Sequence, residues 1–214
     1  MELHEEAPVR RAAADLRLEL RAERLVPRLL QWLLRRPPER RGELRPERTF
    51  VLFPDRGAYE RYAAEAAERL GIGVGHALWT NKRRTGARVE QGQQLLFRPA
   101  PGAAEQELAH LGPEDHVLVV DDFTNSGSTL FGAVGLVRAL PGAGEGLRTS
   151  VVVAHTVASY DEDVARALLG KLEALGPRCR YVTTDTVPRS ARALRGHPQV
   201  DVVEVAELLA ELLC

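Results

Sequence analysis

The chain has 214 residues, a formal net charge of -1 and two cysteines, Cys179 and Cys214. That length suits one α/β domain with a sizeable core. The near-neutral charge gives no drive toward nucleic acid or an anionic membrane, and two cysteines supply neither a disulfide framework nor zinc spacing, which fits a reducing compartment. No apolar run approaches the roughly 20 residues of a membrane span. Glu2, Glu5, Glu6, Asp15, Glu19 and Glu23 set the Arg-rich N-terminus apart from an acid-poor transit peptide. The expectation is a soluble, cytoplasmic protein. Residues 1–48 hold twelve Arg and nine acids, net +3, which leaves -4 for the rest, an asymmetry too small to assign a polyanion partner.

Residues 8–35 read as helical, with Leu16, Leu20, Leu25, Leu29 and Leu33 on one stripe and Trp32 beside it. Pro27 kinks this stretch or starts a second helix, and Pro37-Pro38 stops it. One amphipathic stripe is what any packed helix shows, so the reading favoured is a surface element covering a sheet; the other is a dimerisation or partner helix. Residues 1–48 are therefore expected to form a helical extension and linker ahead of a domain spanning 49–214.

From Thr49 the pattern alternates. Strands are predicted at Thr49–Phe53, Val74–Trp79, Leu95–Phe97, His116–Val120, Thr149–Ala154, Arg180–Thr183 and Val200–Glu204. Helices are predicted at Ala58–Leu70, Ala103–His110, Ser128–Leu140, Asp161–Leu175 and Ala206–Leu213, with a basic polar stretch at Asn81–Gln94 and a turn at Pro141-Gly142-Ala143-Gly144. Continuous apolar runs such as Val151–Val153 suit strands buried on both faces. The pattern predicts a doubly wound α/β domain with a parallel sheet.

Such sheets bind ligands outside the carboxyl ends of their strands. The residues that follow the predicted strands are Pro54 to Ala58, then Asn81, Lys82, Arg83 and Arg84, then Asp121 and Asp122 with the turn Asn125-Ser126-Gly127-Ser128-Thr129, then His155 and Thr156, then Thr184 to Pro188. In the third of these, an apolar strand runs into two carboxylates, a small-residue turn and a helix start. The turn offers backbone N–H groups to a phosphate, and the acids accept hydrogen bonds from ribose hydroxyls. The same serines and glycine also make a good N-cap, which uses the same geometry. Lys82, Arg83 and Arg84 taken alone are a solvated loop; beside a ribose site they suit a pyrophosphate or triphosphate. Asp55 either opens a turn or helps to hold Mg²⁺. His155 reads as a satisfied core histidine ahead of a catalytic base.

Val117-Leu118-Val119-Val120-Asp121-Asp122 followed by Ser126-Gly127-Ser128-Thr129 resembles the motif of type I phosphoribosyltransferases and of phosphoribosyl pyrophosphate (PRPP) synthetases. Other segments point to the synthetases. Asn81-Lys82-Arg83-Arg84 is similar to the start of their catalytic loop, and Phe53-Pro54-Asp55-Arg56-Gly57-Ala58, with Arg61 downstream, to their pyrophosphate turn. Ala154-His155 and Thr184-Asp185-Thr186-Val187-Pro188 resemble two later segments in the same order. The resemblance covers roughly residues 50–213. Phe-Pro-Asp-x-Gly-Ala and Ser126 look closest to the plant-type, phosphate-independent class.

The resemblance implies ribose binding by Asp121 and Asp122, a 5′-phosphate cradle from Asn125 to Thr129, catalysis by Lys82 and Arg84, and Asp55 near the pyrophosphate and Mg²⁺. It implies ribose 5-phosphate, PRPP and ATP as ligands, and assembly as a homo-oligomer or with a synthetase-type subunit. The chain departs from the pattern at Asn125, where an Asp is usual in the bacterial motif, and at Ser128 and Ala58, where a Gly is usual. Synthetases also carry a homologous N-terminal half, for which residues 1–48 are too short. The expectation is thus a ribose-phosphate diphosphokinase-like domain that is a fragment, works with a partner or stands alone. The alternatives are an inactive PRPP-binding regulatory subunit and a phosphoribosyltransferase joining PRPP to a base.

Overall fold

The computed structural model describes residues 6–17, 24–36, 44–83 and 92–210. Its centre is β5 (His116–Thr124), whose Val117, Leu118, Val119 and Val120 are all 0% exposed. A strand with no solvent face must be covered on both sides, and the chain does this with crossover helices. Beside β5 lie β1 (Thr49–Phe53) and β6 (Arg148–Thr156), both parallel to it, with Val51 level with Leu118 and Val119 level with Val151. β7 (Cys179–Thr184) and β8 (Val200–Val203) continue the parallel run on one side. On the other side β2 (Ala77–Arg83) is parallel to β1, while β3 (Gly92–Phe97) and β4 (Gln106–Glu107) are antiparallel additions. The order is β4-β3-β2-β1-β5-β6-β7-β8. The sheet is therefore mostly parallel, with an antiparallel edge that its apolar runs did not signal.

One face is covered by α2 (Leu25–Arg35) and α3 (Arg56–Leu70), while α1 (Glu6–Asp15) buries Ala13. Leu25, Val26, Leu29, Leu30 and Leu33 share a core with Val51, Phe53, Leu118, Val120 and Val152. The Leu25–Leu33 stripe thus lies on the sheet, over β5 and β6. Pro27 sits in the first turn of α2, where its missing N–H has no intrahelical partner to lose. Leu16 lies past the end of α1 and is 69% exposed, so it leaves the stripe; Leu20 and Pro37-Pro38 fall outside the described residues. The opposite face carries α4 (Ser128–Arg138), α5 (Glu162–Ala174) and α6 (Pro188–Leu194), packed on Leu52, Leu78, Val117, Val119, Val151 and Val153. The alternation of even and odd positions between the two cores is the period-2 geometry of a strand. A last helix, α7 (Val205–Leu209), returns to α2.

Several boundaries differ from the pattern. Ala103–His110 is not a helix: Leu108 N–H donates to Leu95 O at 2.8 Å, and Gln106 and Glu107 pair with Phe97 and Leu96. With Leu108 its one large apolar side chain, the segment has no stripe to bury, so its backbone bonds go to the sheet edge. β5 continues to Thr124 instead of ending at Val120, and β6 to Thr156 instead of Ala154. Residues Asn81 to Arg83 and Gly92 to Gln94 of the basic stretch are arms of the β2–β3 ribbon. The short helix Pro188–Leu194 is not among the predicted elements, although Pro at its first position is a helix-start signal. By contrast, Asp161 caps α5 by accepting from Asp163 N–H at 2.8 Å, and Leu175 is its C-cap.

If α2 belongs to the core as its burial indicates, Leu30→Ala costs about 2–5 kcal/mol of unfolding free energy. Urea denaturation measures it; a cost under about 0.5 kcal/mol is the mark of a peripheral helix.

Candidate functional site

Strand order reverses between β1 and β5: the chain moves outward from β1 to β2, then returns to the other side of β1 for β5. The reversal leaves a crevice at the carboxyl ends of these strands. Pairing with β1 stops at Val119, whereas β5 runs on to Thr124, so Asp121 and Asp122 lie on a strand segment that has β6 but not β1 beside it.

Each carboxylate accepts the N–H that follows it: Asp122 N–H donates to Asp121 Oδ1 and Phe123 N–H to Asp122 Oδ1, both at 2.9 Å. Asp122 is buried, and its Oδ2 accepts from Arg61 Nη1 of α3 at 2.7 Å. Asp121 is less buried. Desolvation, and next the negative charge of Asp122, push its carboxyl up to about 7, with Asp55 adding in the same direction. The two acids are therefore unequal, one held by a cation and the other poised near neutrality.

The turn after β5 begins at Thr124, whose hydroxyl accepts from Gly127 N–H at 3.2 Å. Gly127 has φ +71°, and a Cβ there would lie 2.7 Å from the Phe131 ring, so glycine is required by both backbone and packing. α4 starts at Ser128. Ser126 and Ser128 hydroxyls bond each other at 3.0 Å and are exposed with Asn125 and Thr129. A cation reaches the same turn: Lys171 Nζ of α5 donates to Ser126 O at 2.8 Å and to Ser128 Oγ at 3.0 Å. Asn125 Oδ1 accepts from Ser159 Oγ at 2.9 Å. Ser159 lies in Ala158-Ser159-Tyr160, three consecutive non-glycine residues with φ of +46°, +51° and +55°.

Asp55, at the end of β1, caps α3 by accepting from Ala58 N–H at 2.8 Å. The turn-opening role is thus occupied through Oδ1, and Oδ2 has no partner among the described residues. Among the described residues no three metal-ligating side chains converge. His155 is partly buried, its Nδ1 is 2.8 Å from Thr186 Oγ1, and burial lowers its pKa against the pull of Asp122. Thr184 donates to Ala154 O, and Asp185 accepts from Val205 N–H, so the Thr184-Asp185-Thr186 segment ties β7 to β6 and α7. Lys82 is placed by its backbone on β2, opposite Gln93; Arg84 lies outside the described residues.

The structure thus brings Asp55, Asp121, Asp122 and the Asn125–Thr129 turn to one crevice. Arg61 was visible only as a motif match, and Lys171 was missed. Lys171 stands 43 positions from Ser128, and no local pattern links the two.

The chain has a phosphoribosyltransferase-like α/β fold, a mostly parallel sheet between helical layers with an acid pair and a small-residue turn at its switch point. Phosphoribosylpyrophosphate synthetase from Mycobacterium smegmatis is similar in fold: 22% identity, TM-score 0.57, 88% of this chain and 49% of that one. This chain therefore spans about half the length of that synthetase. More distant are a hypothetical protein from Neisseria gonorrhoeae with bound ppGpp (16% identity, TM-score 0.35, 61% and 66% covered) and adenine phosphoribosyltransferase from Leishmania tarentolae (14%, TM-score 0.37, 85% and 70%). No protein-family model and no curated protein matches the sequence.

Asp121 predicts a pH signature. Its folded pKa of about 7 lies above the ordinary value of 3.8, so between these pH values the folded chain holds a proton that the unfolded chain has lost, and stability falls as pH rises. Asp121→Asn removes that penalty. The melting temperature of the variant minus that of the wild type is expected to rise from pH 4 to pH 7 and to flatten above, read by calorimetry.

Proposed function

We propose that the crevice binds ribose 5-phosphate and PRPP, and that the chain is a ribose-phosphate diphosphokinase-like domain. The observation that carries this reading is the junction of an acid pair and a cation-backed helix start at one strand end. Asp121 and Asp122 accept hydrogen bonds from the ribose 2- and 3-hydroxyls, with the Arg61 guanidinium orienting Asp122. The N–H groups of Ser126, Ser128 and Thr129, with the Lys171 ammonium behind them, hold the 5-phosphate. Asn125 in place of Asp gives Ser159 an acceptor without adding a negative charge beside that phosphate. Ser128, where a Gly is usual, sits at a helix start with its hydroxyl engaged by Lys171, so its side chain is accommodated.

In the reaction, the C1 hydroxyl of ribose 5-phosphate attacks the β-phosphorus of ATP, the bond from that phosphorus to the α–β bridging oxygen breaks, and AMP leaves. Lys82 and Arg84, the pair that the resemblance implies as catalytic, stabilise the transferring group. Asp55, with Oδ2 available, and substrate oxygens suit Mg²⁺, which takes one or two carboxylates plus phosphates; the ion supplies charge neutralisation on the polyphosphate. The plant-type, phosphate-independent class is the synthetase branch that the Phe53–Ala58 turn favours.

A second reading has one observation in its favour. Because the chain spans about half of the synthetase, it also suits a PRPP-binding regulatory subunit that catalyses nothing alone. A phosphoribosyltransferase is disfavoured, because α2 is buried over β5 and β6 and so is not a hood over a base.

Calorimetric titration tests the binding. Asp121→Asn/Asp122→Asn is expected to weaken ribose 5-phosphate and PRPP at least tenfold, and Lys171→Met to weaken both by a similar factor while leaving ribose affinity unchanged. Unaltered affinity in the acid-pair variant sinks the site. PRPP formation from ATP and ribose 5-phosphate by the purified chain separates the enzyme from the regulatory subunit.

A further inference from the structure

At the opposite pole of the sheet, where β1, β5, β6 and β7 begin, lies a concavity of about 370 Å³ lined by Arg45, Arg48, Arg148, Arg178, Glu114 and the Pro113–Gly146 contact. Four guanidiniums thus share one cavity in which Glu114 is the one carboxylate among the described lining residues, with Asp115 paired to Arg48 beside it, in a chain whose net charge is only -1. The cationic excess is local. Arg45 and Arg48 come from the Arg-rich first segment, Arg148 from the start of β6 and Arg178 from the loop before β7, and only the fold joins them.

The backbone that carries them is fixed. Arg148 N–H donates to Asp115 O and Thr149 N–H to Arg178 O, both at 3.1 Å, and Arg48 N–H donates to Arg45 O at 2.9 Å. A Cβ on Gly146 would fall 2.4 Å from Pro113 O, so the two loops meet backbone to backbone and the floor cannot shift apart freely. Arg48 Nη1 lies 3.5 Å from the buried Asp115, and Arg178 Nη1 donates to Gly146 O at 3.2 Å, so both heads are anchored at the cavity wall. The Arg148 guanidinium has no partner among the described residues. Like charges gathered on rigid anchors repel, and a multivalent anion relieves that repulsion.

We propose that this cavity binds the polyphosphate group of a small ligand, a diphosphate or triphosphate borne free or on a nucleoside. Guanidinium forks match phosphate oxygens in pairs, and the volume suits a small-molecule site. The described lining residues include no aromatic ring to stack on a base, so the phosphoryl groups are what is recognised. The site is separate from the ribose-phosphate crevice: Arg148 opens β6, whereas Val153, level with Asp121, lies five residues on, about 16 Å along the strand.

Calorimetry with tripolyphosphate, pyrophosphate and ADP at constant ionic strength tests this. Lys171→Met is expected to leave one tripolyphosphate site in place. Arg148→Gln/Arg178→Gln, which alters exposed side chains only, is expected to weaken that site at least tenfold with ribose 5-phosphate affinity and melting temperature unchanged. Pyrophosphate and ADP are expected to bind it within threefold of each other. The proposal is overturned if the double arginine variant titrates like the wild type, if Lys171→Met abolishes all tripolyphosphate binding, or if ADP binds where pyrophosphate does not. Loss of ribose 5-phosphate binding in Asp121→Asn/Asp122→Asn alone bears on the crevice and not on this cavity.

Discussion

Val117 to Val120 lose all contact with solvent on both sides at once, and most of the architecture follows from that. A strand buried on two faces needs parallel neighbours reached by crossover helices, because hairpins would leave a face open. β1 and β6 supply the neighbours, and α2 with α3 on one side and α4 with α5 on the other supply the cover. The same demand places the polar chemistry. Charged groups are excluded from the middle of β5, so the first carboxylates appear where its apolar run ends, which is also where β1 has stopped pairing. The crevice is the place where the central strand outlives its neighbour.

Within that crevice, burial makes two chemically identical side chains different. Asp122 has Arg61 as a counter-ion; Asp121 has desolvation and a neighbouring negative charge. A carboxylate paired with a guanidinium and an acid close to its titration point are two acceptors of unequal strength. A ligand bringing cations would pull the second toward ionisation. The turn beyond them is held from elsewhere in the chain, by Lys171 on α5 and Ser159 after β6.

Much of this was legible in the sequence, for identifiable reasons. The apolar runs at 117–120 and 151–153 announced two-faced burial, and the Asp161 cap and the Asp121–Thr129 motif are local signals that need no tertiary information. What escaped is non-local. The ends of β5 and β6 run past their apolar residues because the ladder between Phe123 and His155, and between Thr124 and Thr156, pays no attention to side-chain polarity. Gln106 and Glu107 become strand only because Phe97 and Leu96 offer them an edge. Lys171 and the four arginines of the lower cavity belong to their sites by folding alone, which is why a count of charge along the chain showed nothing at either place.

The left-handed stretch Ala158-Ser159-Tyr160 costs about 1–2 kcal/mol per residue for side chains other than glycine, and it ends in the hydrogen bond from Ser159 to Asn125. The backbone strain of one loop is thereby coupled to the geometry of another: Ser159 can reach Asn125 only while its own residue stays left-handed, so relaxing the stretch after β6 releases the first residue of the turn after β5.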